Sequence, residues 1–99
     1  MKPYAGYSVD FNAFWQYYRG TVRADYSSYR QGFVRCFCAC EKKYGISEGF
    51  GSNHVNLVGK YLTKICKDTR VMMLSQGIPD VATKSIIDKF KKWFVSYYA

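Results

Sequence analysis

Residues Val22–Tyr44 read VRADYSSYRQGFVRCFCACEKKY, and whether they form helix or strand decides the fold class. Val22, Tyr26, Tyr29, Phe33, Phe37, Cys40 and Tyr44 recur at steps of four and three, which puts them on one face of an α-helix. Arg19, Arg23 and Arg30 fall mostly off that stripe. Two features oppose a single helix. Phe33–Cys38 is a short apolar run that a strand also accepts. Gly32 inside a helix costs about 1 kcal/mol relative to Ala. A break near Ser27-Ser28 would divide the segment into two helices.

The flanking sequence is helical by the same test. A first helix is expected over about Val9–Arg19, capped by Ser8 or Asp10 and stopped by Gly20. Phe11, Phe14, Trp15 and Tyr18 form its apolar face. Residues 45–53 hold three glycines and read as a loop. A third helix then runs from about His54 to Gln76, started by Ser52 or Asn53 and ended by Gly77. Its core face includes Val55, Val58, Leu62, Ile65 and Met72. After the Ile78-Pro79 turn, Asp80 caps a fourth helix over about Val81–Tyr97. Ile86, Ile87, Phe90, Trp93, Phe94 and Tyr97 line its inner side. Asp88 is spaced to pair with Lys84 or Lys92.

The chain has 99 residues, fifteen of them Lys or Arg and seven Asp or Glu, giving a formal charge of +8. That length suits one domain with a modest core. At 48% hydrophobic and 19% aromatic it is too apolar for a disordered basic tail. No apolar run approaches the roughly 20 residues that span a bilayer. Met1–Tyr7 lacks the apolar stretch of a secretory signal. The expectation is an all-α, compact bundle of four to five helices, one domain over residues 1–99, with 1–7 a flexible lead.

Residues 1–45 hold seven cations against three acids, and residues 46–99 hold eight against four. The excess charge is therefore spread over a folded surface, and such a field attracts polyanions. Cys36, Cys38, Cys40 and Cys66 lack the paired spacing of a zinc site. With no signal segment they point to a reducing, cytoplasmic compartment. Cys36 and Cys40 read as small packed residues, with Cys38 on the other face of the helix. His54 is the one histidine and lies at a helix start, where capping or solvent exposure is expected. No acid pair is set for proton transfer. Val58-Gly59-Lys60 lacks the first glycine of a phosphate-binding loop. No catalytic, cofactor or metal residue is assigned, and the expectation is a non-enzyme.

The basic and aromatic residues carry the functional signal. Lys60, Lys64 and Lys67 fall at i, i+4 and i+7, and Arg70 follows. They are candidates for phosphate contact, which releases counterions and makes binding salt-sensitive. Asn56 shares a face with Lys60 and is a candidate for base edges. Tyr17, Tyr97 and Tyr98 are candidate interface aromatics, able to stack on bases or anchor a protein contact.

Asn56-Leu57-Val58-Gly59-Lys60-Tyr61-Leu62, with Gly77-Ile78 following, resembles the core-binding, SAM-like domain of tyrosine recombinases, the phage integrases. The likeness covers residues 45–78, about a third of the chain. Leu57 stands where that family usually has Thr, His54 where it often has a capping Ser, and Asp68 where it has an apolar residue. Gly77 comes one residue late. The resemblance implies a four-helix module that clamps duplex DNA without the recombinase's catalytic domain.

Two functional readings follow. One is a nucleic-acid-binding module, with DNA preferred over RNA. The other is a small phage-type inhibitor that binds an acidic surface on a host protein or nucleoprotein machine. A third, a helix lying on a membrane surface, would use Trp93, Phe94 and Tyr97 beside Lys91 and Lys92.

Overall fold

The structure, a computed structural model, describes residues 9–46 and 54–98. The first helix begins where Asp10 folds its side chain back. Asp10 Oδ1 accepts the Ala13 N–H at 3.0 Å, satisfying one of the free donors at a helix start. Helix α1 runs Phe11–Thr21. It starts two residues after Val9 and passes through Gly20, the expected stop. The Thr21 hydroxyl donates to the Tyr17 carbonyl at 3.0 Å and secures the last turn. Ser8, the other candidate cap, lies outside the described residues.

Val22–Tyr44 is not one helix. The chain is extended at Val22 (φ −99°, ψ 148°). Asp25 then accepts both the N–H and the hydroxyl of Ser27, a side-chain turn that competes with helix. One 3₁₀ turn, Ser27–Tyr29, leads into α2, Arg30–Lys42. The non-helical stretch is residues 22–26, a little before the expected Ser27-Ser28, which themselves form the 3₁₀ turn; Val22 and Tyr26 reach the core edge from irregular chain and Tyr29 from that turn. Phe33–Cys38 is helix, and burial shows why. Phe33, Cys36, Phe37 and Cys40 are fully buried, at the i, i+3, i+4, i+7 spacing of one helix face. A Cβ on Gly32 would lie 2.9 Å from Ile78 Cδ1, so this glycine permits a close approach.

Gly45 (φ +73°) ends α2. Its N–H donates to the Lys42 carbonyl and that of Ile46 to the Glu41 carbonyl, each at 3.2 Å. This is a Schellman ending, with the following Ile46 buried. The expected helix from His54 to Gln76 appears as two, α3 (His54–Lys60) and α4 (Leu62–Ser75). The step is Tyr61 (φ −109°, ψ 16°). Tyr61 still shares helical hydrogen bonds with both helices, from its N–H to Leu57 O at 3.1 Å and from the Ile65 N–H to Tyr61 O at 2.9 Å. The candidate caps Ser52 and Asn53 lie outside the described residues, as do most of loop 45–53 and lead 1–7.

A second Gly-Ile pair ends α4. Gly77 has φ +88°, and the Ile78 N–H donates to Met73 O at 3.1 Å. Helix α5 runs Asp80–Tyr97. Pro79 holds the cap position and makes no side-chain cap bond. Asp80 is already helical, where its charge favours the helix dipole.

The described residues form an all-α bundle of five helices. Helix α5 packs on α1 and α4, and α4 packs on α2. Aromatic rings close the circuit between α1 and α2, with Phe14 and Phe33 at 5.9 Å. Phe90 of α5 is the hub, with Phe14 at 5.1 Å, Phe33 at 5.3 Å and Phe37 at 4.9 Å. Such ring pairs add about 0.5–1.5 kcal/mol each beyond area burial. Trp93 and Phe94 are 4% and 5% exposed. They belong to this core, so the membrane-surface reading loses its apolar face. Among the described residues no helix is long and apolar enough to cross a membrane.

Candidate nucleic-acid interface

Four of the acids make side-chain hydrogen bonds within the fold. Asp10 caps α1, the exposed Asp25 binds Ser27, Glu41 is buried against His54, and Asp68 Oδ2 accepts the Tyr44 hydroxyl at 2.8 Å. Asp80 and Asp88 are exposed. Among the described residues Arg70 is the one Lys or Arg in an ion pair, its Nη2 lying 3.4 Å from Asp80 Oδ1. Both side chains are exposed, and such pairs contribute at most about 1 kcal/mol. The expected pairing of Asp88 with Lys84 or Lys92 is not formed.

Asn56, Lys60, Lys64, Lys67 and Arg70 are all exposed. They lie along the continuous path of α3 and α4, opposite the buried Ile65, Cys66, Thr69 and Met73. Lys60 Nζ sits 5.5 Å from the centroid of the Tyr61 ring, a cation–π contact. Tyr61 in turn stacks on Tyr44 at 5.1 Å. The Asp68 carboxylate that accepts the Tyr44 hydroxyl holds that proton above the usual tyrosine range.

Lys67 and Arg70 share the wall of an open depression of about 200 Å³ with Lys91, Ile87 and Asp88 of α5. Asn56, Lys60 and Lys64 do not border it. Lys91 was named only for the membrane-surface reading and not among the phosphate contacts. Its spacing on α5 shows only that it is off the core face, and its neighbours come from the α4–α5 packing.

The candidate aromatics are half-buried. Tyr97 stacks on Trp93, with centroids 4.8 Å apart and planes at 25°. Tyr17 and Tyr97 border one open cleft between α1 and α5, with Gln16, Lys92 and Trp93. Tyr98 is tied down. Its hydroxyl accepts the Asp10 N–H at 2.8 Å, and burial pushes its pKa up to about 12.

His54 is neither a cap nor solvent-facing. It is 2% exposed. Its Nδ1 accepts the Val9 N–H at 3.0 Å, so the ring proton is on Nε2, which donates to Glu41 Oε2 at 2.6 Å. The pair ties the entry to α1, the end of α2 and the start of α3 together. Glu41 Oε1 is buried with no hydrogen-bond partner among the described residues. Cys36, Cys40 and Cys66 are buried and Cys38 is half-buried. Burial pushes the Cys66 thiol up to about 12 and raises Cys36 and Cys40, which keeps them protonated and poorly nucleophilic. Among the described residues no three His, Cys, Asp or Glu side chains converge as metal ligands.

No family model, curated protein or solved structure matches the chain.

Proposed function

We propose that the chain is a small, non-catalytic nucleic-acid-binding module, with DNA favoured over RNA, acting in a reducing, cytoplasmic compartment. One observation carries this reading. The path α3–α4 displays Asn56, Lys60, Lys64, Lys67 and Arg70 to solvent, and among the described residues Arg70 alone of these is in an ion pair, an exposed one with Asp80. Exposed lysines without a carboxylate partner among the described residues are ready to exchange counterions for phosphates. Lys60, Lys64, Lys67 and Arg70 serve as phosphate contacts, and Asn56 is placed to reach a base edge. The Asn56–Leu62 likeness to the recombinase core-binding domain supports the same surface and favours a duplex.

A gel shift with duplex DNA across salt tests it. Four phosphate contacts correspond to a fall in affinity of roughly 100-fold between about 50 and 200 mM salt. Flat salt dependence, or no binding at low salt, would exclude this reading.

A second reading has its own observation. Val71 is 62% exposed and Leu74 is 36% exposed on α4, beside Lys67 and Arg70 in sequence. A mixed apolar and basic face suits a phage-type inhibitor seated on an acidic host protein surface. A stoichiometric protein partner that survives nuclease treatment in a pull-down favours this second reading.

A further inference from the structure

We infer that the seam between α1 and α5 is a groove for single-stranded nucleic acid, taking unpaired bases on its tyrosines and phosphates on its cations. It rests on the nucleic-acid reading for the class of partner, but it lies on a different surface from the α3–α4 face.

Helix α5 sits between α1 and α4, and its two flanks differ. The flank toward α4 presents Lys91 together with Asp88. The flank toward α1 presents Lys89 and Lys92. Two open depressions follow that second flank. One, of about 780 Å³, is walled by Gln16 and Tyr17 on α1 and by Lys92, Trp93 and Tyr97 on α5. The other, of about 390 Å³, is walled by Arg23 and Tyr26 just past α1 and by Lys89 on α5. Gly20 lies between their α1 residues in sequence, and a Cβ there would meet nothing within 4 Å, so no side chain rises from this position.

Carboxylates set this seam apart. Neither of its depressions has an acid in its wall. The depression beside α2 and α4 holds Asp68, and the one between α4 and α5 holds Asp88. Asp25, between Ala24 and Tyr26, is exposed and accepts from Ser27, which favours its ionised form, but it lines neither depression. A polyanion laid along the seam meets Arg23, Lys89 and Lys92, with Asp25 and Asp88 only at its margins.

The aromatics decide between single strand and duplex. Tyr97 has one face packed on Trp93, which holds its ring in a set orientation at the cleft. Tyr17 borders the same cleft from the α1 wall. Bases in a duplex are already stacked on each other, whereas unpaired bases offer free π-faces to such rings. From Val81 to Tyr97 the helix rises about 24 Å, room for several nucleotides of an extended strand.

The test is fluorescence anisotropy with a labelled oligothymidylate of about twelve nucleotides and a labelled duplex, at about 50 mM salt. Four proteins are compared: wild type, Lys89→Glu with Lys92→Glu, Tyr17→Leu, and Lys60→Glu with Lys64→Glu and Lys67→Glu. Thermal melts confirm that each is folded, and Lys92→Gln replaces the seam double variant if that one is not. The seam charge reversal is expected to weaken oligothymidylate binding by at least about tenfold while duplex binding stays within about twofold. Tyr17→Leu is expected to weaken it about tenfold, the loss of one base stack. Seam variants that bind oligothymidylate like wild type overturn the groove and leave the nucleic-acid reading standing. So does a wild type that binds duplex alone, or loss of single-strand binding in the α3–α4 variant only. A wild type that binds neither probe overturns both.

Discussion

At the residue scale the informative side chain is His54. A lone histidine at a helix start gives no hint that it is buried. Its partners lie 45 residues upstream, at Val9, and 13 residues upstream, at Glu41. The hydrogen-bond pattern also sets its tautomer, since the Val9 N–H needs an unprotonated Nδ1 and Glu41 then receives the Nε2 proton. Replacing His54 by Ala leaves the Glu41 carboxyl buried without its donor. The expected cost is about 3 kcal/mol. Glu41→Gln keeps an oxygen able to accept from Nε2 and is expected to cost less than about 1.5 kcal/mol. Urea midpoints of the two variants check this order, and equal losses would show that the pair contributes packing alone. Arg30 makes a comparable long-range contact, with its guanidinium 5.8 Å from the Trp15 ring centroid and a hydrogen bond to Asn12.

At the element scale the glycines separate into distinct roles that share one letter in the sequence. Gly45 and Gly77 have positive φ and end α2 and α4. Each is followed by an Ile whose N–H reaches back five residues, so the dipeptide Gly-Ile is the legible part of both endings. Gly20 is merely tolerated near the end of α1, with open space around it. The two kinds respond oppositely to alanine. Gly77→Ala is expected to destabilise the fold by about 1–2 kcal/mol, because a Cβ strains the left-handed backbone. Gly20→Ala is expected to stabilise it by about 0.5 kcal/mol through helix propensity. Thermal melts of the two variants should move in opposite directions. A shift of the same sign would mean that Gly77 relaxes its backbone or that Gly20 is not helical in solution. The step at Tyr61 was hidden for a related reason. The apolar period runs through Leu57, Val58, Leu62 and Ile65 without interruption, and Tyr61 itself keeps i→i−4 hydrogen bonds to Leu57 and from Ile65.

At the scale of the whole molecule, buried acidic protons couple the fold to alkaline pH. Burial pushes Cys66 from 9.0 up to about 12 and Tyr98 from 10.0 up to about 12. Both values are raised on folding, so between these limits the unfolded chain releases protons that the folded chain keeps. Their stabilising contribution is complete below about pH 9 and is lost as pH rises toward about 12. The urea midpoint is expected to hold steady from about pH 7 to 9 and then decline. A midpoint unchanged at about pH 11 would contradict the burial of these two groups. The same cooperative core makes Phe90 sensitive, since its ring touches partners on α1 and α2 at once.

The amino-acid sequence alone determined the helical class. The apolar stripes of Phe11–Tyr18, Phe33–Cys40 and Ile86–Phe94 are local patterns, set by the 3.6-residue turn and readable without knowing any neighbour. It also determined that Lys60, Lys64, Lys67 and Arg70 lie away from the core. Only the tertiary structure decided which surfaces meet. The burial of His54, the clasp from Asp10 to Tyr98 across 88 residues, the place of Lys91 beside Arg70, and the acid-free seam of Tyr17 with Lys92 all depend on which helix flank acquires which neighbour. Helical period specifies what faces inward on one element. It carries no information about the partner supplied from elsewhere in the chain, because that choice is made by packing the whole core at once.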